Sequence, residues 1–321
     1  MREVDIIERY FRREAGSAAG VSLGIGDDAA VLRPPPGEEL VVTTDSLVAG
    51  THFAPDHPPD SLGHRSLAVN LSDLAAMGAQ PRWFTLSLSL PLAEAGWLTA
   101  FAAGLFALAD RHAIGLVGGD TVRGPLAVTV TAIGSVPAGG ALRRDGAGPG
   151  ERIFVTGPLG DAAWTWRQLA AGGAVPRDDA LWARFAWPEP RVREGLDLRG
   201  VASAVIDLSD GLATDLPRLL GASGIGADCE LERLPLSTAL RRRAGEAEAR
   251  ALALSGGDDY ELCFTVPPAK WPALEAVATA WPGQPACIGE TRATPGCRWL
   301  LSGAPYQPPL PSFEHFAGDG R

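Results

Sequence analysis

Aspartates beside glycines are the residues of this 321-residue chain whose types and spacing best suit chemistry. Glycine lets the backbone approach an anion closely and offers amide N–H groups as donors. Carboxylates are hard oxygen ligands for Mg²⁺, which shares them with water and substrate phosphates. The set therefore suits a site for a polyphosphate and a metal ion. Its members are Asp27, Asp28, Asp45, Asp73, Asp120, Asp207, Asp210, Asp258 and Asp259.

Each of these motifs alone also has a simpler interpretation. An aspartate in a glycine-rich turn is common, and a Ser-Asp step before a helix is often only an N-cap. The whole set is harder to explain as turns, because six such motifs occur and several follow an apolar strand. Carboxylates at strand ends gather at the carboxyl edge of a sheet, where α/β proteins bind ligands.

Other catalytic signatures are missing from the sequence. There is no GxxxxGK[ST] phosphate loop, and the one lysine, Lys270, lies in PPAKWPAL. The HRD, DFG and GxSxG motifs are absent as well. The five histidines form no HxxxH pair and the four cysteines no CxxC pair, which argues against zinc. The pattern favours a metal-assisted reaction without a covalent nucleophile.

The elements that must position these aspartates alternate between strands and helices. Phe84, Leu86, Leu88 and Leu90 alternate with polar residues, which predicts a half-buried strand over 82–90. Other predicted elements are a strand over 39–45, helices over 66–77 and 93–112, and a strand over 126–136. The glycine-rich segment 138–151 is the candidate domain boundary. Strands and helices alternate on both sides of it, so we expect an α/β (α+β) fold with domains 1–138 and 139–321.

The composition excludes some classes of partner. A formal net charge of -10 argues against nucleic acid, which requires a basic face. No apolar run approaches the roughly 18 to 20 residues that span a bilayer. The first residues also lack the apolar stretch of a signal peptide. We therefore expect no membrane association and a cytoplasmic location.

Six segments, taken in order, resemble the thiamine-monophosphate kinase family, which belongs to the superfamily of aminoimidazole ribonucleotide synthetase and selenophosphate synthetase. They are GIGDDAAVL, TTDSLVAGTHF, NLSDLAAMGAQPRW, GGDTVRGPL, IDLSDGLATDL and SGGDDYELCFTVP, and they extend over nearly the whole chain. The combination of NLSDLAAMGA and SGGDDYEL is the specific part of this resemblance. TTDSLVAGTHF favours this kinase family over its relatives.

The resemblance implies a two-domain fold like that of aminoimidazole ribonucleotide synthetase. It also implies ATP-dependent, Mg²⁺-assisted phosphorylation of thiamine monophosphate to thiamine diphosphate by direct in-line transfer. The N-terminal domain would bind metal and nucleotide phosphates and form a homodimer, and the C-terminal domain would complete the ATP and substrate site. Strands 82–90 and 126–136 have apolar faces, and one of them could lie at the dimer interface.

The same resemblance assigns roles to individual residues. The implied metal ligands are Asp28, Thr43, Thr44, Asp45, Asp73, Asp120, Asp207 and Asp210. The implied ATP contacts are Gly119, Asp120, Arg144 and Ser209, and the implied catalytic residues are Asp207, Asp210 and Arg144. The implied substrate contacts are His52, Asp258 and Phe313.

Elementary chemistry agrees with a phosphate acceptor. A phosphate monoester is already largely ionised near neutral pH, so a general base is not essential. Catalysis then depends on positioning and on neutralisation of charge by metal ions and arginine. This accounts for a site rich in aspartate that has no candidate nucleophile.

Two alternatives remain open from the sequence. One is another ATP-dependent synthetase of the same superfamily, although the selenophosphate synthetases carry a reactive cysteine near the N-terminus and this chain has none before Cys229. The other is a non-enzymatic Ca²⁺-binding module. The aspartates are dispersed along the chain and form no D-x-[DN]-x-[DN]-G loop, which is unlike a compact calcium loop.

Overall fold

The computed structural model describes residues 1–13 and 19–308, which form two compact units. Unit 1 consists of Met1–Ala141 together with the short segment Ala186–Val192. Unit 2 consists of Leu142–Phe185 and the described residues from Arg193 onward. In the described part of the chain, no helix is both long and apolar enough to cross a membrane.

Helices and strands alternate along both units. The helices are α1 (Glu3–Ile6, continued by the π-helical turn Ile7–Phe11), α2 (Pro59–Ala76), α3 (Ala95–Arg111), α4 (Asp161–Ala170), α5 (Ala180–Ala186), α6 (Val192–Asp197), α7 (Leu212–Ser223), α8 (Thr238–Ser255) and α9 (Trp271–Ala278). The strands are β1 (Val21–Leu23), β2 (Val31–Leu32), β3 (Glu38–Val48), β4 (Gln80–Leu90), β5 (Gly115–Arg123), β6 (Ala127–Pro137), β7 (Arg152–Val155), β8 (Ala204–Asp207), β9 (Gly226–Glu230), β10 (Leu262–Val266), β11 (Ala286–Arg292), β12 (Gly296–Leu301) and β13 (Ala304–Tyr306).

Unit 1 is built on a four-stranded sheet in the order β3-β6-β4-β5. Only β4 and β5 run parallel, and the other pairs are antiparallel. Helix α2 packs on the sheet and against α3. The apolar side chains of β4, Phe84 to Leu90 in alternation, are all buried. The strand predicted over 82–90 is therefore confirmed, and its apolar face belongs to the core of unit 1.

Helix α2 begins at Pro59, so the prediction of a helix start at Ser66 was wrong. Proline at the first position of a helix is favoured, since its fixed φ suits the first turn and its missing N–H would lack a partner there. Nearly all of α2 is buried, including polar residues such as Ser61 and His64. A helix buried all round has no polar face, so its sequence lacks the periodicity that marks a helix start.

Unit 2 is built on a seven-stranded sheet in the order β13-β12-β9-β11-β7-β10-β8. All pairs are antiparallel except β9 with β12. Leu212, Leu216, Leu219 and Leu220 form one apolar face of α7 and join the buried core beneath this sheet. Helix α7 begins just after β8 ends, and this junction carries the IDLSDG motif.

Candidate active site

Strand β3 and the last turn of α2 bring three of the expected metal ligands together in unit 1. The Thr43 hydroxyl donates a hydrogen bond to a carboxylate oxygen of Asp73. The backbone N–H of Asp45 donates to Oδ1 of Asn70, 3.1 Å away. Asn70 and Asp73 are three residues apart and share one face of α2. Because Asp73 lies at the end of its helix, the interpretation of this residue as an N-cap is excluded.

Thr44 and Asp120 lie on the opposite face of the same sheet. Successive residues of a strand point to opposite faces, and the Thr44 hydroxyl lies 2.7 Å from that of Thr131 on β6. Asp120 lies opposite Ser87 on β4, and Ser87 lies opposite Thr129 on β6. Thr129 is two residues from Thr131, so Asp120 shares the face of Thr131 and Thr44. The expected ligands of unit 1 therefore form two groups, one on each face.

Asp28 lines the same cavity as Asp120, at the β5 edge of the sheet. This cavity has a volume of about 580 Å³ and lies between the glycine-rich loop 24–30, β5 and the first helix, which contributes Ile7 and Phe11. Gly119 also lines it. Its φ is +148°, and a Cβ there would lie 1.9 Å from the Leu86 carbonyl oxygen, so the approach of β5 to β4 requires glycine.

His52 lies in the turn that follows β3. Its Nδ1 accepts a hydrogen bond from the backbone N–H of Val48, 3.0 Å away. Since that bond uses the lone pair of Nδ1, the proton of a neutral His52 ring is on Nε2.

In unit 2 the ends of β8 and β10 hold the remaining expected aspartates in two adjoining loops. Asp207 ends β8 opposite Leu262. Beyond the strands, the Asp258 N–H donates to the Ser209 carbonyl at 2.9 Å, and the Tyr260 N–H donates to the Leu208 carbonyl at 2.8 Å. These bonds fix Asp258 beside the loop that carries Ser209 and Asp210.

The position of that loop depends on Asp215, to which the sequence reasoning gave no role. Its Oδ2 accepts the backbone N–H groups of Ser209 at 3.1 Å and Asp210 at 3.0 Å. Arg218 lies 2.9 Å from the other oxygen of Asp215 and 2.5 Å from Asp210. Burial is the main cause that raises the pKa of Asp215 to about 6.

Of the two remaining expected residues, Arg144 lies in the described part of the chain and Phe313 does not. Arg144 is exposed, and its backbone carbonyl accepts a hydrogen bond of 2.7 Å from the Ser223 hydroxyl. Phe313 lies outside the described residues.

The donor set of both units fits Mg²⁺. All expected ligands are carboxylate, hydroxyl or carbonyl oxygens, which suit a hard cation and not zinc. Within residues 1–13 and 19–308, no group of three or more His, Cys, Asp or Glu side chains is arranged to hold a metal ion. That arrangement is compatible with Mg²⁺, because this ion is usually held by one or two carboxylates, with water and substrate phosphates completing the shell.

Comparison with known proteins agrees with this geometry. Residues 26–136 match the family described as AIR synthase related protein, N-terminal domain, and residues 148–299 match the corresponding C-terminal domain. The fold and the oxygen-rich site therefore define a protein of this two-domain class.

Individual relatives identify the family within this class. The thiamine-monophosphate kinase of Salmonella typhimurium is 47% identical over 320 residues, which cover 98% of both chains. The crystal structure of the thiamine-monophosphate kinase from Stenotrophomonas maltophilia is 45% identical, with a TM-score of 0.84 over 94% of this chain and 95% of that one. A second structure, AaThiL complexed with AMPPCP and TMP, is 26% identical, with a TM-score of 0.77 over 98% of this chain and 96% of that one. The chain belongs to the thiamine-monophosphate kinase family.

Proposed function

We propose that this protein transfers the γ-phosphoryl group of ATP to thiamine monophosphate and so forms thiamine diphosphate. The observation that carries the proposal is the family relationship, at 47% identity over nearly the full length of both chains. A further relative, AaThiL, was solved in complex with AMPPCP and TMP. An ATP-like nucleotide together with a thiamine phosphate is the ligand pair that this reaction requires.

Mg²⁺ is the expected cofactor, and when bound it would offset the negative charge of the phosphates. In unit 1 the ligands would be Asp28, Thr43, Thr44, Asp45, Asp73 and Asp120, and in unit 2 Asp207 and Asp210. The Thr43 hydroxyl fixes one oxygen of Asp73. Arg218 would share Asp210 with a metal ion bound there, since it lies 2.5 Å from that carboxylate. These contacts orient the carboxylates before phosphate arrives, which lowers the cost of reorganisation.

The nucleotide phosphates would contact Gly119, Asp120, Arg144 and Ser209. Gly119 lines the cavity beside β5 and has no side chain, so its backbone is the group that it would present to a phosphate there. Arg144 is exposed, and its planar guanidinium can hold phosphate oxygens in pairs. In a transfer without a covalent intermediate, such contacts supply positioning and stabilise the charge of the transition state.

The thiamine end would be recognised by His52, Asp258 and Phe313. The thiazolium ring carries a permanent positive charge, so a carboxylate or an aromatic face attracts it. Asp258 is the carboxylate in this set. This assignment supports selectivity for a thiamine phosphate over other phosphate monoesters.

Product analysis with two acceptors tests the proposed reaction. Thiamine monophosphate should yield thiamine diphosphate with ATP and Mg²⁺, whereas free thiamine should not react at a useful rate. Free thiamine lacks both the nucleophilic phosphate and the group that a metal ion can hold in line. Efficient phosphorylation of free thiamine, or no thiamine diphosphate from the monophosphate, would reject the proposal and favour a different synthetase of the superfamily.

A homodimer joined through the sheet of unit 1 is part of the same proposal. The outer face of β3 exposes Leu40, Val42 and Val48, with 48%, 60% and 38% of their surface accessible. An exposed apolar face of this kind marks an interaction surface. The apolar faces of β4 and β6 are buried, so β3 is the better candidate for the interface. A monomeric mass in solution at micromolar concentration would refute the dimer.

A further inference from the structure

The loop of unit 2 that carries Asp258 has an unusual backbone. Gly257, Asp258 and Tyr260 have φ angles of +68°, +60° and +50°. Glycine adopts this left-handed region readily and aspartate tolerates it, whereas it is strained for a bulky residue such as tyrosine. Strained residues of this kind persist only where the surrounding structure holds them, and they cluster at functional sites.

Two sets of contacts hold the loop in place. Backbone bonds from Asp258 and Tyr260 join it to residues 208–209. Between them, Asp259 is 5% exposed, and its Oδ1 accepts the Gly160 N–H at 2.8 Å. The loop is therefore fixed from both sides, and the orientation of its side chains is set before any ligand binds.

The strained conformation of Tyr260 brings its side chain onto the carboxylate of Asp258. Tyr260 is buried, with 7% of its surface exposed, and its hydroxyl donates a hydrogen bond of 2.8 Å to Oδ1 of Asp258. A hydrogen bond between two residues this close in sequence forms because the backbone turns back at both positions. The phenol fixes one carboxylate oxygen of Asp258 and so limits the rotation of that side chain.

We propose that Tyr260 is a positioning residue that fixes the Asp258 carboxylate for recognition of the cationic end of the acceptor substrate. The proposal rests on the function proposed above, in which Asp258 contacts the thiamine moiety. Tyr260 acts only through Asp258 and does not touch the reacting phosphates. A merely structural tyrosine would brace the loop without affecting the choice of substrate.

Removal of the single hydroxyl tests this role. In Tyr260→Phe we expect the dissociation constant of thiamine monophosphate, measured by calorimetry without ATP, to rise about tenfold, the usual size of a lost charge-assisted hydrogen bond. The KM for the acceptor should rise with it. The kcat and the KM for ATP should stay near the wild-type values, because the phosphate contacts are untouched.

A double-mutant cycle with Asp258→Asn separates positioning from bracing. Asparagine tolerates the left-handed backbone but has no charge to orient. Adding Tyr260→Phe to Asp258→Asn should therefore weaken binding by less than about twofold, compared with about tenfold when the Asp258 charge is present, and this difference measures the coupling of the two residues. Tyr306→Phe removes a hydroxyl from another tyrosine of unit 2 and should leave binding unchanged.

Three results would overturn the inference. They are wild-type affinity in Tyr260→Phe, an equal loss of affinity with and without the Asp258 charge, and a matching rise in the KM for ATP. Failure of the proposed function is recognised separately, because the wild-type protein would then neither bind thiamine monophosphate nor convert it to thiamine diphosphate.

Discussion

At the scale of single residues, Asp73 has the best-defined environment among the expected metal ligands. The Thr43 hydroxyl holds one of its oxygens, while Asn70, one turn earlier on α2, receives the backbone N–H of Asp45. A strand and a helix are thus joined by polar bonds at the point where the phosphates would be held. Because one oxygen is held, the rotation of the Asp73 carboxylate is limited and the orientation of its second oxygen is largely set in advance.

Asp73→Asn should remove the proposed metal contact without damaging the fold. The amide oxygen can still accept the Thr43 hydroxyl, so we expect a melting temperature close to that of the wild type. The charge that would attract Mg²⁺ is lost, so turnover should fall by at least about a hundredfold, which corresponds to a few kcal/mol of transition-state stabilisation. Steady-state kinetics over a Mg²⁺ titration, with a thermal melt of each variant, measure both quantities.

Asp60→Asn is the matched control, because it makes the same chemical change in the first turn of the same helix. Its activity should equal that of the wild type. Normal turnover in Asp73→Asn at every Mg²⁺ concentration would remove Asp73 from the metal site.

Residue type and local spacing predict part of this site and not the rest. The aspartates are visible in the sequence because each adjoins glycine or a strand end. Asn70 and Asp215 are not, because they act on backbone N–H groups of other segments, and their partners become neighbours only in the folded chain. Asn70 lies three residues before Asp73 on the same helix, so a search for polar residues at helical spacing from each aspartate could have found it. Asp215 lies five residues after Asp210, which is not a helical spacing, so the same search would not have found it.

At the scale of elements, the packing of α2 against α3 positions the helix that carries Asp73. Where the two helices cross, their backbones lie too close together for a side chain to fit between them. A Cβ on Gly104 of α3 would lie 1.8 Å from the Asp60 carbonyl oxygen, and one on Gly63 of α2 would lie 2.1 Å from the Phe101 carbonyl oxygen. The two backbones therefore touch at a pair of glycines. Neither contact is visible in the sequence, where both glycines interrupt an otherwise helical pattern.

Gly104→Ala should destabilise unit 1 although alanine is the better helix former. The added methyl would overlap the Asp60 backbone, which cannot move aside as a flexible side chain can. We expect the free energy of unfolding to fall by about 1 to 3 kcal/mol, the usual cost of overpacking. Thermal unfolding of the purified variant measures the change.

Gly96→Ala, in the first turn of the same helix, is the matched control. A Cβ at Gly96 has no heavy atom within 4 Å. This substitution should leave stability unchanged or raise it by up to about 1 kcal/mol through helix propensity. Equal melting temperatures for the two variants would show that the helices can separate at no cost.

At the scale of the whole molecule, the two units should respond to acid in opposite ways. In unit 1, burial lowers the pKa of His64 and of His112 to about 4 in each case. The segment Ala186–Val192 covers His64, whose Nε2 lies 2.9 Å from the Pro188 carbonyl oxygen and whose ring meets Trp187 edge-on. Nearby, Arg111 pairs with Glu189 at 3.0 Å and disfavours a second positive charge on either histidine.

Unit 2 contains buried carboxyl groups instead. Burial raises the pKa of Asp259 well above its ordinary value and raises the pKa of Asp161 as well. A carboxyl whose pKa is higher in the folded state favours folding at low pH, and this contribution is lost as the pH rises through the folded pKa. A histidine whose pKa is lower in the folded state favours folding above its unfolded pKa of about 6.5, and this contribution is lost as the pH falls toward the folded value.

Acidification from about pH 7 to about pH 5 should therefore weaken unit 1 but not unit 2. Protonation of the unfolded chain in this range removes about 2 kcal/mol through His64, and somewhat less through the more exposed His112. Hydrogen exchange, corrected for the intrinsic rate at each pH, measures the response of each unit. Amides of α2 and α3 should lose protection at the lower pH, while those of α7 and β10 should keep theirs.

The double variant His64→Gln, His112→Gln should show little pH dependence in α2 and α3. Equal loss of protection in both units, or a pH response that survives in the double variant, would show that the two histidines do not control the acid sensitivity of unit 1.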